Sequence, residues 1–119
     1  QRLKALTGLD AGENQARRLL NDIARYRAVQ EKRTGRKLLE PVAAASWLEE
    51  RFERALSGIP AEMASKLEPA ELYHQVLEHR WFLSERAGGD VGIDETVASY
   101  VADVLSSAPT EQVVASDDV

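Results

Sequence analysis

The stretch ELYHQVLEHRWFLSE, Glu71 to Glu85, holds both histidines of the chain, each with glutamates within helical reach. Glu71, His74 and Glu78 follow one another at i, i+3 and i+7, which makes them neighbours on one side of a helix. Carboxylate-bridged di-iron bundles use a Glu-x-x-His on each of two helices, with a further glutamate from each of two others. Glu71 and His74 supply one such pair. His79 points about 140° away at roughly 100° per residue, so it cannot join His74 on one ion. Only a symmetric dimer would bring a second Glu-x-x-His. We therefore expect no metal and no cofactor, and a solvated face carrying i, i+4 pairs. His79 lies at the edge of an apolar arc, where it is either a general base or a hydrogen-bonded packing residue. The packing role is the one expected, because no serine–histidine–aspartate set or carboxylate pair can be picked out by spacing.

Arg80 is the more informative position. On a helical wheel Leu72, Val76, Tyr73, Leu77, Trp81 and Leu83 spread over about half the circumference, the mark of a well-buried helix. Arg80 falls between Val76 and Tyr73, inside that arc. A guanidinium stays charged and carries five donors, so at a buried position it needs an acidic or carbonyl partner. The expectation is an internal ion pair, with Glu49, Glu53 or Asp90 as partner. Snorkelling to the surface and contact with an anionic ligand are the alternatives.

Two further segments invite a functional reading. Residues 25–37 carry six cations (Arg25, Arg27, Lys32, Arg33, Arg36, Lys37) against one acid, Glu31. The rest of the chain then holds nine basic and nineteen acidic residues. Arg33, Arg36 and Lys37 would serve a phosphate, nucleic-acid or acidic-partner contact. They also suit the C-terminal end of a helix, whose dipole favours cations, and that plainer reading is preferred. AGGDVG, Ala87 to Gly92, resembles a phosphate loop only in its glycines. It lacks the Lys-Ser/Thr that closes a P-loop and follows a helix rather than a strand, so it reads as a stop, a turn and a new N-cap.

The elements that must position these groups are all helices. Glycine at 8, 12, 35, 58, 88, 89 and 92 and proline at 41, 60, 69 and 109 punctuate segments of helical period. No Val/Ile-rich alternating run predicts a strand. RLKALTGL is a short lead-in helix. The first long helix is predicted from Ala11 to Glu31, capped by Asp10 and Glu13, with Ala16, Leu19, Leu20, Ile23 and Tyr26 or Arg27 inward. Pro41 opens the next, running to Ser57 with Ala45, Leu48, Phe52, Ala55 and Leu56 buried and Trp47 beside them. AEMASKL supplies a turn. Pro69 opens the helix of the opening stretch, which Gly88 and Gly89 end. Asp94 caps a last helix to about Ser106, with Val97, Tyr100, Val101, Val104 and Leu105 inward. This is an all-α fold: a compact bundle of four to five helices, one domain over 1–107, with a disordered tail over 108–119.

Composition narrows the function classes. A chain of 119 residues with 44% hydrophobic content fits one domain with a core. Its net charge of −5 argues against broad coating of nucleic acid. The absence of cysteine excludes disulfides, thiolate metal sites and cysteine nucleophiles, and a reducing cytoplasm fits. No apolar run approaches the roughly 20 residues of a membrane span, and no signal peptide is seen. A start at Gln1 rather than methionine points to a piece of a longer protein.

LTGLDAGENQARRLLNDIARYRA, KLEPAELYHQVLEHRWFLSERAGGDVG and VASYVADVL resemble the C-terminal domain of a family of uncharacterised, mainly actinobacterial proteins. In that family the domain follows an N-terminal region resembling lipopolysaccharide kinases and is classed as a domain of unknown function. The resemblance covers nearly the whole chain to Leu105. It implies a helical accessory domain beside a kinase-like one. The chain itself has no glycine-rich strand loop, no V-A-I-K lysine, no H-R-D loop and no D-F-G; EHRW holds His79 and Arg80 without the aspartate that would follow. The expectation is a non-catalytic accessory or interaction domain, regulatory or scaffolding, whose protein partner is a kinase-like domain or a second copy of itself. The alternative is a phosphate- or nucleic-acid-binding module using 25–37.

Overall fold

The computed structural model describes residues 2–107, and every regular element in it is helical. In chain order these are α1 (Arg2–Thr7), α2 (Glu13–Thr34), α3 (Glu40–Trp47), a π-helical segment (Leu48–Glu53), α4 (Arg54–Ser57), α5 (Ala61–Ala64), α6 (Pro69–Ala87) and α7 (Ile93–Asp103), then a 3₁₀ turn at Leu105–Ser107. No strand occurs among the described residues, as the missing alternation predicts. The tail predicted over 108–119 lies outside them. Within the expected domain over 1–107 two compact units are distinguished, one up to Arg54 and one from Ala55.

In the first unit α2 packs on α3, and α1 on both. α2 turns Leu19, Ile23 and Tyr26 inward, the predicted stripe. Its start differs from prediction. Gly12, not Asp10, is the N-cap, and its N–H donates to the Gln15 side chain at 3.3 Å. Asp10 instead pairs with Lys4 at 3.2 Å. Ala43 and Ala44 are fully buried, and their small side chains let the neighbouring helix approach closely. Trp47 is fully buried as well, its indole N–H satisfied by Asp22 Oδ2 at 2.8 Å. Burying an aromatic side chain of this size contributes about 2–3 kcal/mol.

The π segment explains a misplaced core face. A uniform 3.6-residue period through Phe52 selects Ala45 and Leu48, yet Ala45 is exposed and Leu48 and Leu56 are only half-buried. The buried series is Ala43, Ala44, Trp47, Phe52 and Ala55. The step from Trp47 to Phe52 is five residues, the repeat of a π turn. One extra residue is absorbed on the wet side, and the two rings meet with centroids 5.6 Å apart.

In the second unit Pro69 starts α6 with Glu68 as N-cap, and Gly88 ends it in the left-handed conformation at φ 73°, as its sequence predicts. α6 packs on α7, and α7 on the 3₁₀ turn. Gly92, not Asp94, caps α7; the fully buried Thr96 returns its hydroxyl to Gly92 O at 2.8 Å. α7 stops at Asp103 rather than near Ser106, and its predicted inward Val104 is exposed. Lys66 Nζ bonds the carbonyl of Leu105 at 2.9 Å, a cation at a helical C-terminus. Gly58 is closely packed: a Cβ there would lie 3.0 Å from Val97 Cγ1, which would have to give by a few tenths of an ångström.

α6 is not dry over half its girth. Ala70, Leu72, Tyr73 and Val76 are buried, but Leu77 and Leu83 are half-buried and Trp81 is 65% exposed. The dry arc covers the first two turns only. Phe82, on the next position, is 48% exposed.

Candidate functional site

Two hydrogen-bonded chains run between α6 and α7. In the first, Tyr100 OH donates to Gln75 Oε1 at 2.6 Å, and Gln75 Nε2 donates to Glu71 Oε2 at 2.9 Å. Burial, with the charge of Glu71 adding, pushes the Tyr100 phenol up to about 12. A buried phenol held this far up is a donor that stays protonated, not a base. In the second chain Ser99 Oγ donates to Asp103 Oδ2 at 3.1 Å and stands 2.9 Å from His79 Nε2. With the hydroxyl proton directed at Asp103, Nε2 carries its own proton and donates to Ser99 Oγ. The serine thus lies between the histidine and the carboxylate. A hydrolytic triad needs the histidine in the middle, with a free lone pair for the hydroxyl proton. His79 is flanked by Phe82 and Tyr100, with centroids 6.3 and 6.1 Å away.

The Glu71, His74 and Glu78 side chains do not converge. Glu71 turns to Gln75, and His74 Nε2 stands 3.9 Å from Glu78 Oε2. His74 Nδ1 is buried and has no hydrogen-bond partner among the described residues. No three His, Cys, Asp or Glu groups gather at metal-ligand spacing among the described residues.

Arg80 finds Asp90, one of its three candidate partners, but not inside the protein. Its Nη2 reaches the Asp90 carboxylate at 3.3 Å while Nε donates to Val91 O at 3.0 Å. The Arg80 side chain is 26% exposed and that of Asp90 84%. The expected internal ion pair is thus corrected to a surface-opening one. The stem crosses the apolar face and delivers the guanidinium to the α6–α7 loop. AGGDVG serves as that loop: Gly88 stops one helix and Gly92 caps the next.

In the first unit the basic segment ends α2 as its dipole favours. Arg33 holds Gln30 Oε1 through Nη2 at 2.6 Å and is exposed, as are Arg36 and Lys37. Glu31 accepts the Leu38 N–H at 2.7 Å, and that bond, with Arg27 and Lys37 nearby, holds its carboxyl below the usual range. Leu39, beside this bond, is 73% exposed. On the same unit Tyr26 OH donates to Glu50 Oε1 at 2.7 Å under the guanidinium of Arg51, 5.5 Å above the ring.

Sequence reasoning missed Ser99, Asp103 and Gln75. A buried tyrosine must find an acceptor, and Ser99 and Asp103 stand one turn apart on α7, so those two cues were available. These sites define a class: an all-α domain with most of its aromatic rings in the core, two hydrogen-bonded side-chain sets between α6 and α7, and Trp81, Phe82, Arg33, Arg36 and Lys37 left exposed. The chain belongs to the family described as Domain of unknown function (DUF4032), whose model matches residues 1–105, through both units. No curated protein and no solved structure matches it.

Proposed function

We propose that this chain is a non-catalytic accessory domain that works by binding another protein surface, in a regulatory or scaffolding role beside a kinase-like region of its parent. The observation that carries this reading is the exposed aromatic pair on α6, Trp81 and Phe82. Large aromatic side chains left in water on a regular helix favour contact with a partner, because tryptophan and arginine dominate the energetics of protein interfaces. The internal polar chains support it too, since Ser99, His79 and Asp103 are hydrogen-bonded in an order that does not activate the serine. No helix among the described residues is long and apolar enough to cross a membrane, and a cytoplasmic site of action is part of the proposal. The test is titration calorimetry of the chain against the separately produced kinase-like region. Saturable one-to-one binding that Trp81→Ala weakens is expected. Turnover of a substrate by this chain alone would overturn the reading. A second reading, a phosphate- or nucleic-acid-binding module, draws on the exposure of Arg33, Arg36 and Lys37; binding of a short nucleic acid at low salt, lost on reversing those charges, is its test.

A further inference from the structure

Two exposed faces of opposite charge remain after the packing is described. On α6, Trp81 lies between Glu78 at i−3 and Glu85 at i+4, both exposed. On α2, exposed Val29 lies among Arg25 at i−4, Lys32 at i+3 and Arg33 at i+4, all exposed. The chain just beyond exposes Arg36, Lys37 and Leu39. Each face pairs apolar surface with charge of one sign.

The chain also shows how it treats an aromatic ring beside an arginine. Arg51 stands 5.5 Å over Tyr26 and Arg86 5.4 Å over Phe82. No cation stands over Trp81 among the described residues, although indole is the strongest of the three rings in this role. Glu78 and Glu85 add two carboxylates beside it, so the chemistry that completes this face is a guanidinium or ammonium carried on apolar surface. The α2 face has that composition.

We propose that the Trp81 face of one copy docks the basic α2 face of a second copy, with Arg33 or Arg36 over the indole and Glu78 and Glu85 answering the remaining cations. This deepens, and rests on, the reading of the chain as an interaction domain. A two-fold dimer through either face alone would set like charges against like. Joining unlike faces, whether by one contact per pair of copies or by two reciprocal contacts in a closed pair, avoids that repulsion.

Sedimentation velocity of the full chain tests this. At low salt the average mass should rise with concentration over a range of about a hundredfold, and about 0.5 M salt should weaken association by roughly tenfold or more. Trp81→Asp, and separately the double change Arg33→Glu with Arg36→Glu, should each give a monomer with an unchanged helical spectrum, since all three positions are exposed. Mixed in equal amounts, these two species should form a one-to-one dimer that grows no further, because one intact face of each kind remains. A wild-type chain that stays monomeric overturns the proposal. So does association that survives either variant, or a mixture that does not dimerise. If it is overturned while the chain still binds the separately produced kinase-like region, the interaction-domain reading stands without it; if neither binding occurs, both fall.

Discussion

Replacing Arg80 separates a surface-opening ion pair from a closed one. Arg80→Met keeps the apolar stem and removes the charge and all donors. The carboxylate of Asp90 is 84% exposed, so losing the ion pair costs no more than about 0.5–1 kcal/mol. The Nε bond to the Val91 carbonyl, 3.0 Å long beside a buried side chain, adds about 1 kcal/mol. The sum is about 1.5–2 kcal/mol, and Asp90→Asn alone should cost about 0.5 kcal/mol or less. Chemical denaturation at neutral pH reads both values. A loss above about 3 kcal/mol on Arg80→Met would mean that the guanidinium is enclosed and its counter-charge stranded. An equal loss on Asp90→Asn would mean the same. A loss near zero would show that the Val91 bond does not form, and either result refutes the geometry of this loop.

The Tyr100 phenol, raised to about 12 from 10 by burial and by Glu71, contributes stability that is whole below the unfolded value and disappears as pH rises through the folded one. Alkaline unfolding between pH 10 and 12 should therefore flatten in Tyr100→Phe, as circular dichroism would record. Glu31 titrates the opposite way: its folded value is lowered from 4.5, chiefly by the Leu38 N–H. Its contribution is present above that value and lost as pH falls through the folded one, so Glu31→Gln should weaken the chain at neutral pH and reduce the acid dependence of its melting temperature. Gly58→Ala should cost about 1 kcal/mol by thermal melting, because the added methyl meets Val97 Cγ1 at 3.0 Å. Deleting the exposed Glu49 should leave stability within about 1 kcal/mol, since it restores an ordinary helical step between Trp47 and Phe52; a drop of more than about 3 kcal/mol would show that the π turn is needed for packing.

The fold class, α6 and its two ends, and the α2 stripe were legible because each depends on local signals: Pro69 in a first turn, Gly88 in the left-handed region, and a steady apolar period at Leu19, Ile23 and Tyr26. The failures have three causes. Ala45 and Leu48 lie on the wet side because one π turn shifts the helical phase, and no residue type in LEERFE announces that shift. Asp10 and Asp94 are good cap residues by type, yet Gly12 and Gly92 hold the capping positions. Cap identity follows where the chain turns, and tertiary packing sets the turn. Trp81 was placed inside because hydrophobicity says how much a side chain gains by burial, not whether a neighbour is there to bury it.

That distinction bears on function. Inside the second unit, two sets of polar groups that could do chemistry are hydrogen-bonded among themselves: Tyr100 to Gln75, Gln75 to Glu71, His79 to Ser99, Ser99 to Asp103. Recruiting any of them to a substrate would first break one of these bonds and leave a partly buried partner unsatisfied, a cost of about 1–3 kcal/mol before catalysis begins. Trp81 carries the opposite balance. It already stands in water, and covering its ring removes apolar area while breaking none of these hydrogen bonds, which is the energetic condition for binding through the surface of α6.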